Sequence, residues 1–152
     1  MALSKLDRAL FDAMNADQTL ILLRAGASVK ATDFLGYTAL MYARTGGQTR
    51  YLLEAGADPH ATTSQGMTAL MCANTPEQTA LLLKAGVDVY AHDSCGRTAL
   101  MLANSPEQRK LLEDHITLLE ADADEADADE SIPAQEITIT VPKGTKVVVN
   151  YV

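Results

Sequence analysis

Apolar and small residues return along this chain at a fixed step. Gly36-Tyr37-Thr38-Ala39-Leu40-Met41 recurs as Gly66-Met67-Thr68-Ala69-Leu70-Met71 and as Gly96-Arg97-Thr98-Ala99-Leu100-Met101, a period of 30 residues. A second block keeps the same step: Leu22-Leu23-Arg24-Ala25-Gly26-Ala27, Leu52-Leu53-Glu54-Ala55-Gly56-Ala57-Asp58 and Leu82-Leu83-Lys84-Ala85-Gly86-Val87-Asp88. Such self-similarity marks a repeat array, in which each unit buries its apolar face against its neighbours. Each unit reads as two helices. Thr38, Thr68 and Thr98 stand as N-caps of a short helix through Ala-Leu-Met-x-Ala, their hydroxyls able to accept from orphan N–H groups. Thr75-Pro76-Glu77-Gln78 and Ser105-Pro106-Glu107-Gln108 open a second helix. A capping hydroxyl comes first there, then Pro at the first helical position and Glu at the positive end of the dipole. Thr45-Gly46-Gly47-Gln48 is a weaker version of that start. Gly26, Gly56 and Gly86 fall where these helices end, and about ten residues then run extended to the next glycine turn.

The order G-x-T-A-L-M-x-A followed by Leu-Leu-x-x-Gly-Ala resembles the ankyrin repeat, over residues 6 to about 116. The usual unit of that family is about 33 residues long and carries T-P-L-H. Here Ala-Leu-Met replaces Pro-Leu-His, and the Gly36–Gly56 distance is about three residues short, roughly one helical turn at the helix-to-helix junction. The missing His removes an inter-repeat polar contact that the resemblance implies, and Met41, Met71 and Met101 are expected to pack in its place. The resemblance implies a mainly α fold class, an ankyrin-repeat solenoid of helix-turn-helix units, and the C-terminal pattern adds an expected β-hairpin after an acidic linker. The array divides into an opening cap unit at 1–32, units at 33–62 and 63–92, and a closing cap unit at 93–119, followed by a linker at 120–135 and a hairpin at 136–152. In the opening unit Ala9-Leu10-Phe11-Asp12-Ala13 takes the first-helix slot without a Gly-x-Thr turn. At the other end Ile116 stands where the period asks for Gly, and Leu112, Ile116 and Leu119 continue an apolar stripe, so the last helix runs to about residue 120.

Composition agrees with close-packed helices: 47% of residues are apolar, but only 5% are aromatic and none is Trp. Cys72 and Cys95 match neither a disulfide framework nor a zinc-ligand spacing, so a reduced, cytoplasmic protein is the default. The start, Met1-Ala2-Leu3-Ser4-Lys5-Leu6-Asp7-Arg8, is interrupted by charge and does not read as a signal peptide. No apolar run approaches the ~20 residues that span a bilayer, so no membrane partner is expected. The net charge of −8 is unevenly placed: residues 1–112 carry ten basic and ten acidic side chains, while 113–152 carry ten acids against Lys143 and Lys146. With no basic stripe, direct nucleic-acid binding is disfavoured.

Glu120 to Glu130 is a run of Asp, Glu and Ala that reads as a solvated spacer or a fraying helix end. An EF-hand would need Gly at its sixth position and Glu at its twelfth; counted from Asp122, Asp127 and Pro133 stand there. Backbone mimicry that draws in a basic partner is the electrostatic alternative. From Gln135 onward the pattern alternates about Pro142-Lys143-Gly144, a turn that pairs Ile139 with Val147 and Ile137 with Val149. Ile137, Ile139, Val141, Val147, Val149 and Tyr151 then share one face, a candidate for self-association because a lone hairpin is marginal in water.

No chemistry presents itself. His60, His92 and His115 occupy unrelated repeat positions, no hydrolase, nucleotide or dinucleotide motif occurs, and Cys95 has no paired His. Neither catalytic residues, metal ligands nor a cofactor are therefore expected. The resemblance implies a protein partner, gripped by the turn tips and first helices. The matching positions are Phe34, Leu35, Tyr37, Tyr42, Arg44, Gln65, Met67, Cys95 and Arg97, which differ between units inside a repetitive frame. Phe34 and Leu35 can instead shield the first turn. Three functions follow: a non-enzymatic binding or inhibitory module; an acidic decoy that blocks a nucleic-acid site on its target, as in phage counter-defence; and a homo-oligomer assembled through the hairpin.

Overall fold

A computed structural model describes residues 3–126, with side chains through Asp122, and the backbone of 138–140 and 146–148. The described helices are α1 Lys5–Phe11, α2 Ala16–Arg24, α3 Ala39–Tyr42, α4 Gly46–Glu54, α5 Ala69–Cys72, α6 Pro76–Lys84, α7 Ala99–Leu102 and α8 Pro106–Ala126. They alternate, a short helix and then a longer one. The first helix of each full unit is a single turn of four residues, where the sequence is short by one turn.

The second helices begin as their sequences ask. Thr45 and Thr75 accept from the N–H of Gln48 and Gln78, and Ser105 Oγ accepts from that of Gln108. Around Thr75 the cap is reciprocal, with Gln78 reaching back to the cap N–H, a device worth about 1 kcal/mol. The weaker start holds for a spatial reason. The Glu77 side chain fills the space a Cβ on Gly46 would take and pairs with Arg50 at 3.6 Å, while a Cβ on Gly47 would stand 3.0 Å from that of Ala16. The first helices differ from expectation: Thr68 Oγ1 accepts from Met71 N–H, but Thr38 and Thr98 make no side-chain cap bond.

Contacts divide the chain into two units, Met1–Leu119 and Glu120–Val152. The first holds the core, a stack of equivalent residues: Leu40 and Leu70, Met41 and Met71, Leu52, Leu82 and Leu112, with Ala39, Ala69 and Ala99 closing the short helices. Met101 is the exception. It is 65% exposed where Met41 and Met71 are 5% and 6%, for among the described residues no following repeat lies against it.

Polar contact between repeats also exists, supplied by glutamine. Gln48 Nε2 donates to Ala13 O at 2.8 Å and Thr19 Oγ1 at 3.3 Å. Gln78 donates to Ala43 O at 2.7 Å and Thr49 Oγ1 at 3.3 Å, and Gln108 to Ala73 O at 2.8 Å and Thr79 Oγ1 at 3.0 Å. Each amide oxygen accepts the N–H of Arg44, Asn74 or Asn104 at the junction before its own helix. All three glutamines are buried to 2% exposure, and this ladder satisfies backbone groups that the stacking takes from water.

The last helix runs beyond residue 120, to Ala126, so the first residues of the expected linker are helical. Ala121, Ala123 and Ala126 favour that extension, against acidic side chains at the negative end of the dipole. No described helix is long and apolar enough to cross a membrane.

In the second unit two short strands, β1 Thr138–Thr140 and β2 Lys146–Val148, pair antiparallel with Thr138 opposite Val148, Ile139 opposite Val147 and Thr140 opposite Lys146. The turn of the hairpin expected at 136–152 and the positions Ile137, Val141, Val149 and Tyr151 lie outside the described residues, as does the linker after Ala126.

Candidate protein-binding surface

Each turn between units is built on one side-chain acceptor. Asp33 Oδ1 accepts from the N–H of Leu35 and of Tyr37, both at 2.9 Å. Thr63 Oγ1 does the same for Gln65 and Met67, and Asp93 Oδ1 for Cys95 and Arg97. Short polar side chains that bond the backbone two residues on are natural turn formers. Successive turns are then tied together, Ser64 N–H to Leu35 O at 3.0 Å and Ser94 N–H to Gln65 O at 2.8 Å. Glycine is needed at 36 and 66 for two reasons. Both have positive φ, +87° and +76°, and a Cβ there would meet the next turn at 3.2 Å, on Thr63 Cα and His92 O respectively. The tips therefore form a continuous, internally bonded edge.

On that edge the first turn carries the apolar side chains. Phe34 is 93% exposed and Leu35 41%, so Phe34 shields nothing. Tyr37 is half-buried, and its ring lies 5.6 Å from that of Tyr42, itself 5.4 Å from Phe11. Phe11 joins the surface from outside the positions the sequence pattern singles out, although position 11 is one repeat before Met41, where a ring replaces the thioether. The Tyr42 hydroxyl donates to Asp33 Oδ2 at 2.8 Å, joining the first helix to its turn. Burial, then the bond to Asp33, pushes the Tyr42 phenol up to about 12. Burial acts to raise the Asp33 carboxyl as well, but hydrogen bonds from Tyr42, Tyr37 and Leu35 outweigh it and hold the group below its ordinary value.

The later turns present a different chemistry. Met67 is half-buried and packs against the core, so it is less available than its position suggests. Gln65 is exposed, with its carbonyl committed to Ser94. The Arg97 guanidinium is turned back on its own loop, donating through Nε to Asp93 Oδ2 at 2.8 Å. That bond holds the Asp93 carboxyl below its ordinary value. Cys95 and Arg44 are exposed, while burial pushes the Cys72 thiol up to about 11. Among the described residues no three His, Cys, Asp or Glu side chains are placed to hold a metal ion.

Stacked pairs of helices, joined by turns on a fixed step and tied by a glutamine ladder, define a helical-repeat protein. A family model for ankyrin repeats in three copies matches residues 9–91, and the chain belongs to that family. No curated protein matches it as a relative. Ankyrin repeats are in general protein–protein interaction modules and are typically non-enzymatic.

Proposed function

We propose that the turn edge, with Tyr42 and Arg44 beside it, grips a protein partner, and that Phe34 is the principal anchor. The observation that carries this is the pairing of a 93% exposed aromatic ring with a turn fixed at both ends by Asp33 and Ser64. The backbone that carries the ring is already ordered, so binding has to order only the ring's own two torsions, and buried aromatics carry much of the energy of protein interfaces. Leu35 widens the contact, while Gln65, Cys95 and Arg97 supply polar contacts towards the later repeats. Inhibition follows where the gripped surface is the one the partner works with.

The test is affinity capture from the native host with the full chain, followed by calorimetry of the captured partner against Phe34→Ser/Leu35→Ser. The double variant keeps its fold, since these side chains are exposed, and loses about 2 kcal/mol or more of binding energy. An unchanged Kd overturns the assignment. The acidic decoy makes a different forecast. Replacing Asp122, Asp124, Asp127 and Asp129 with Ser should then weaken binding chiefly at low salt, whereas for a gripping edge it leaves Kd and its salt dependence alone.

A further inference from the structure

Among the described residues the glutamine ladder is open at both ends. Gln18 stands one period before Gln48, and its amide oxygen accepts Met14 N–H at 2.8 Å, as the later ones accept Arg44, Asn74 and Asn104. Its Nε2 finds no acceptor among the described residues, and Gln18 is exposed where the other three are buried. At the far end the carbonyls of Ala13, Ala43 and Ala73 each receive a glutamine 35 residues on, while Ala103 O receives none. The apolar contacts are open in the same way. Gln18 shares a groove of about 440 Å³ with Ala9, Asp12, Ala13, Ile21 and Leu22. Ile21 is 64% exposed there, whereas Tyr51, Leu81 and Leu111, at the same place in later units, are half-buried. Met101 is the counterpart at the other end. The charges also match: two periods on from Arg50 is Lys110, and two periods back from its partner Glu77 is Asp17.

We propose that copies of this chain stack head to tail, the opening unit of one on the end unit of the next, continuing the interface that joins repeats within the chain. In that register Gln18 donates to Ala103 O, Asp17 faces Lys110, and Met101 packs against α1 of the following copy. A second copy is the occupant because one end of the chain presents the donor, the anion and the groove, and the other the matching acceptor, cation and side chain. Two positions make this junction weaker than an internal one. Arg109 stands where Thr19, Thr49 and Thr79 accept from the ladder, and Glu113 where Leu23, Leu53 and Leu83 stand. The contact joins two different faces, so it does not close as a symmetric pair, and assembly continues past the dimer.

The test is sedimentation of the full chain between about 10 μM and about 1 mM, where the mean mass should rise past that of a dimer. Ile21→Arg blocks the head and Met101→Arg the tail; both side chains are exposed, so both variants should melt as the native chain does. Each alone should stay monomeric at the highest concentration. Mixed in equal amounts they should form a dimer and nothing larger, for each keeps the face the other has lost. Phe34→Ser/Leu35→Ser, which changes the turn edge, should assemble as the native chain does, so the gripping edge and the stacking are tested separately. A native chain still monomeric at about 1 mM overturns the proposal. So does assembly that survives Ile21→Arg or Met101→Arg, a mixture that stays monomeric, or assembly lost with Phe34→Ser/Leu35→Ser.

Discussion

Asp33 concentrates more roles than any other side chain of the first turn. It fixes two backbone N–H groups and orients Tyr42, whose ring lies against Phe11 and Tyr37. Tyr42→Phe removes one hydrogen bond to a charged acceptor in a half-exposed place, so a loss of about 0.5–1.5 kcal/mol is expected in urea unfolding. It should also remove the phenol that ionises near pH 12 in an ultraviolet titration. The pH response of Asp33 has a definite sign. Its folded carboxyl lies below the ordinary 3.8, so its stabilisation is present above that value and is lost as pH falls through 3.8 towards the lowered one. Asp33→Asn keeps one acceptor oxygen for the turn N–H groups but loses the charge and the second acceptor that Tyr42 uses. Its melting temperature should fall less than the native chain's between about pH 5 and pH 3. A fall as steep as the native one would place the acid sensitivity elsewhere, at Asp7 or Asp93, whose carboxyls are also lowered.

Among the elements, those held by local chemistry were legible in the sequence and those held across repeats were not. Thr75-Pro76-Glu77-Gln78 declares a helix start because the cap, the proline and the dipole act within four residues. Gln48, Gln78 and Gln108 also follow the step of 30, but a Gln three residues after a cap is fully accounted for by the capping box. Their second role lies 35 residues back in the chain, on carbonyls at the end of another unit's first helix. That offset is visible only once the stacking is known. Phe34 was legible as a candidate, yet whether it shielded the turn or faced water depended on packing. The ladder makes its own forecast. Gln78→Ala strands the Ala43 carbonyl and the Asn74 N–H in a buried place, so about 2–4 kcal/mol of stability is expected to go, measured by urea unfolding. Gln78→Glu, nearly the same shape, should still cost about 1–3 kcal/mol, because a carboxylate cannot donate to Ala43.

Across the whole array, the cost of losing a side chain depends on which repeat carries it, not on the motif. Position 19 of the opening unit is Thr, as are 49 and 79, but at 109 it is Arg; Leu23, Leu53 and Leu83 give way to Glu113. The last described long helix thus carries polar side chains where the earlier ones carry Thr and Leu. The last short helix shows no such change: Ala99-Leu100-Met101 keeps the interior sequence, and Met101 is left 65% exposed. Met71 and Met101 therefore form a controlled pair, the same residue at the same place in the motif with opposite burial. Met71→Ala removes a side chain 6% exposed and should cost about 2–4 kcal/mol, as buried Met→Ala changes do. Met101→Ala removes one already in water and should stay within about 0.5 kcal/mol. Urea unfolding of the two variants of the full chain at low micromolar concentration decides it. Equal losses would mean that the end of the array is covered in solution, and dilution would then separate a second copy, whose protection disappears, from cover within the chain, whose protection does not.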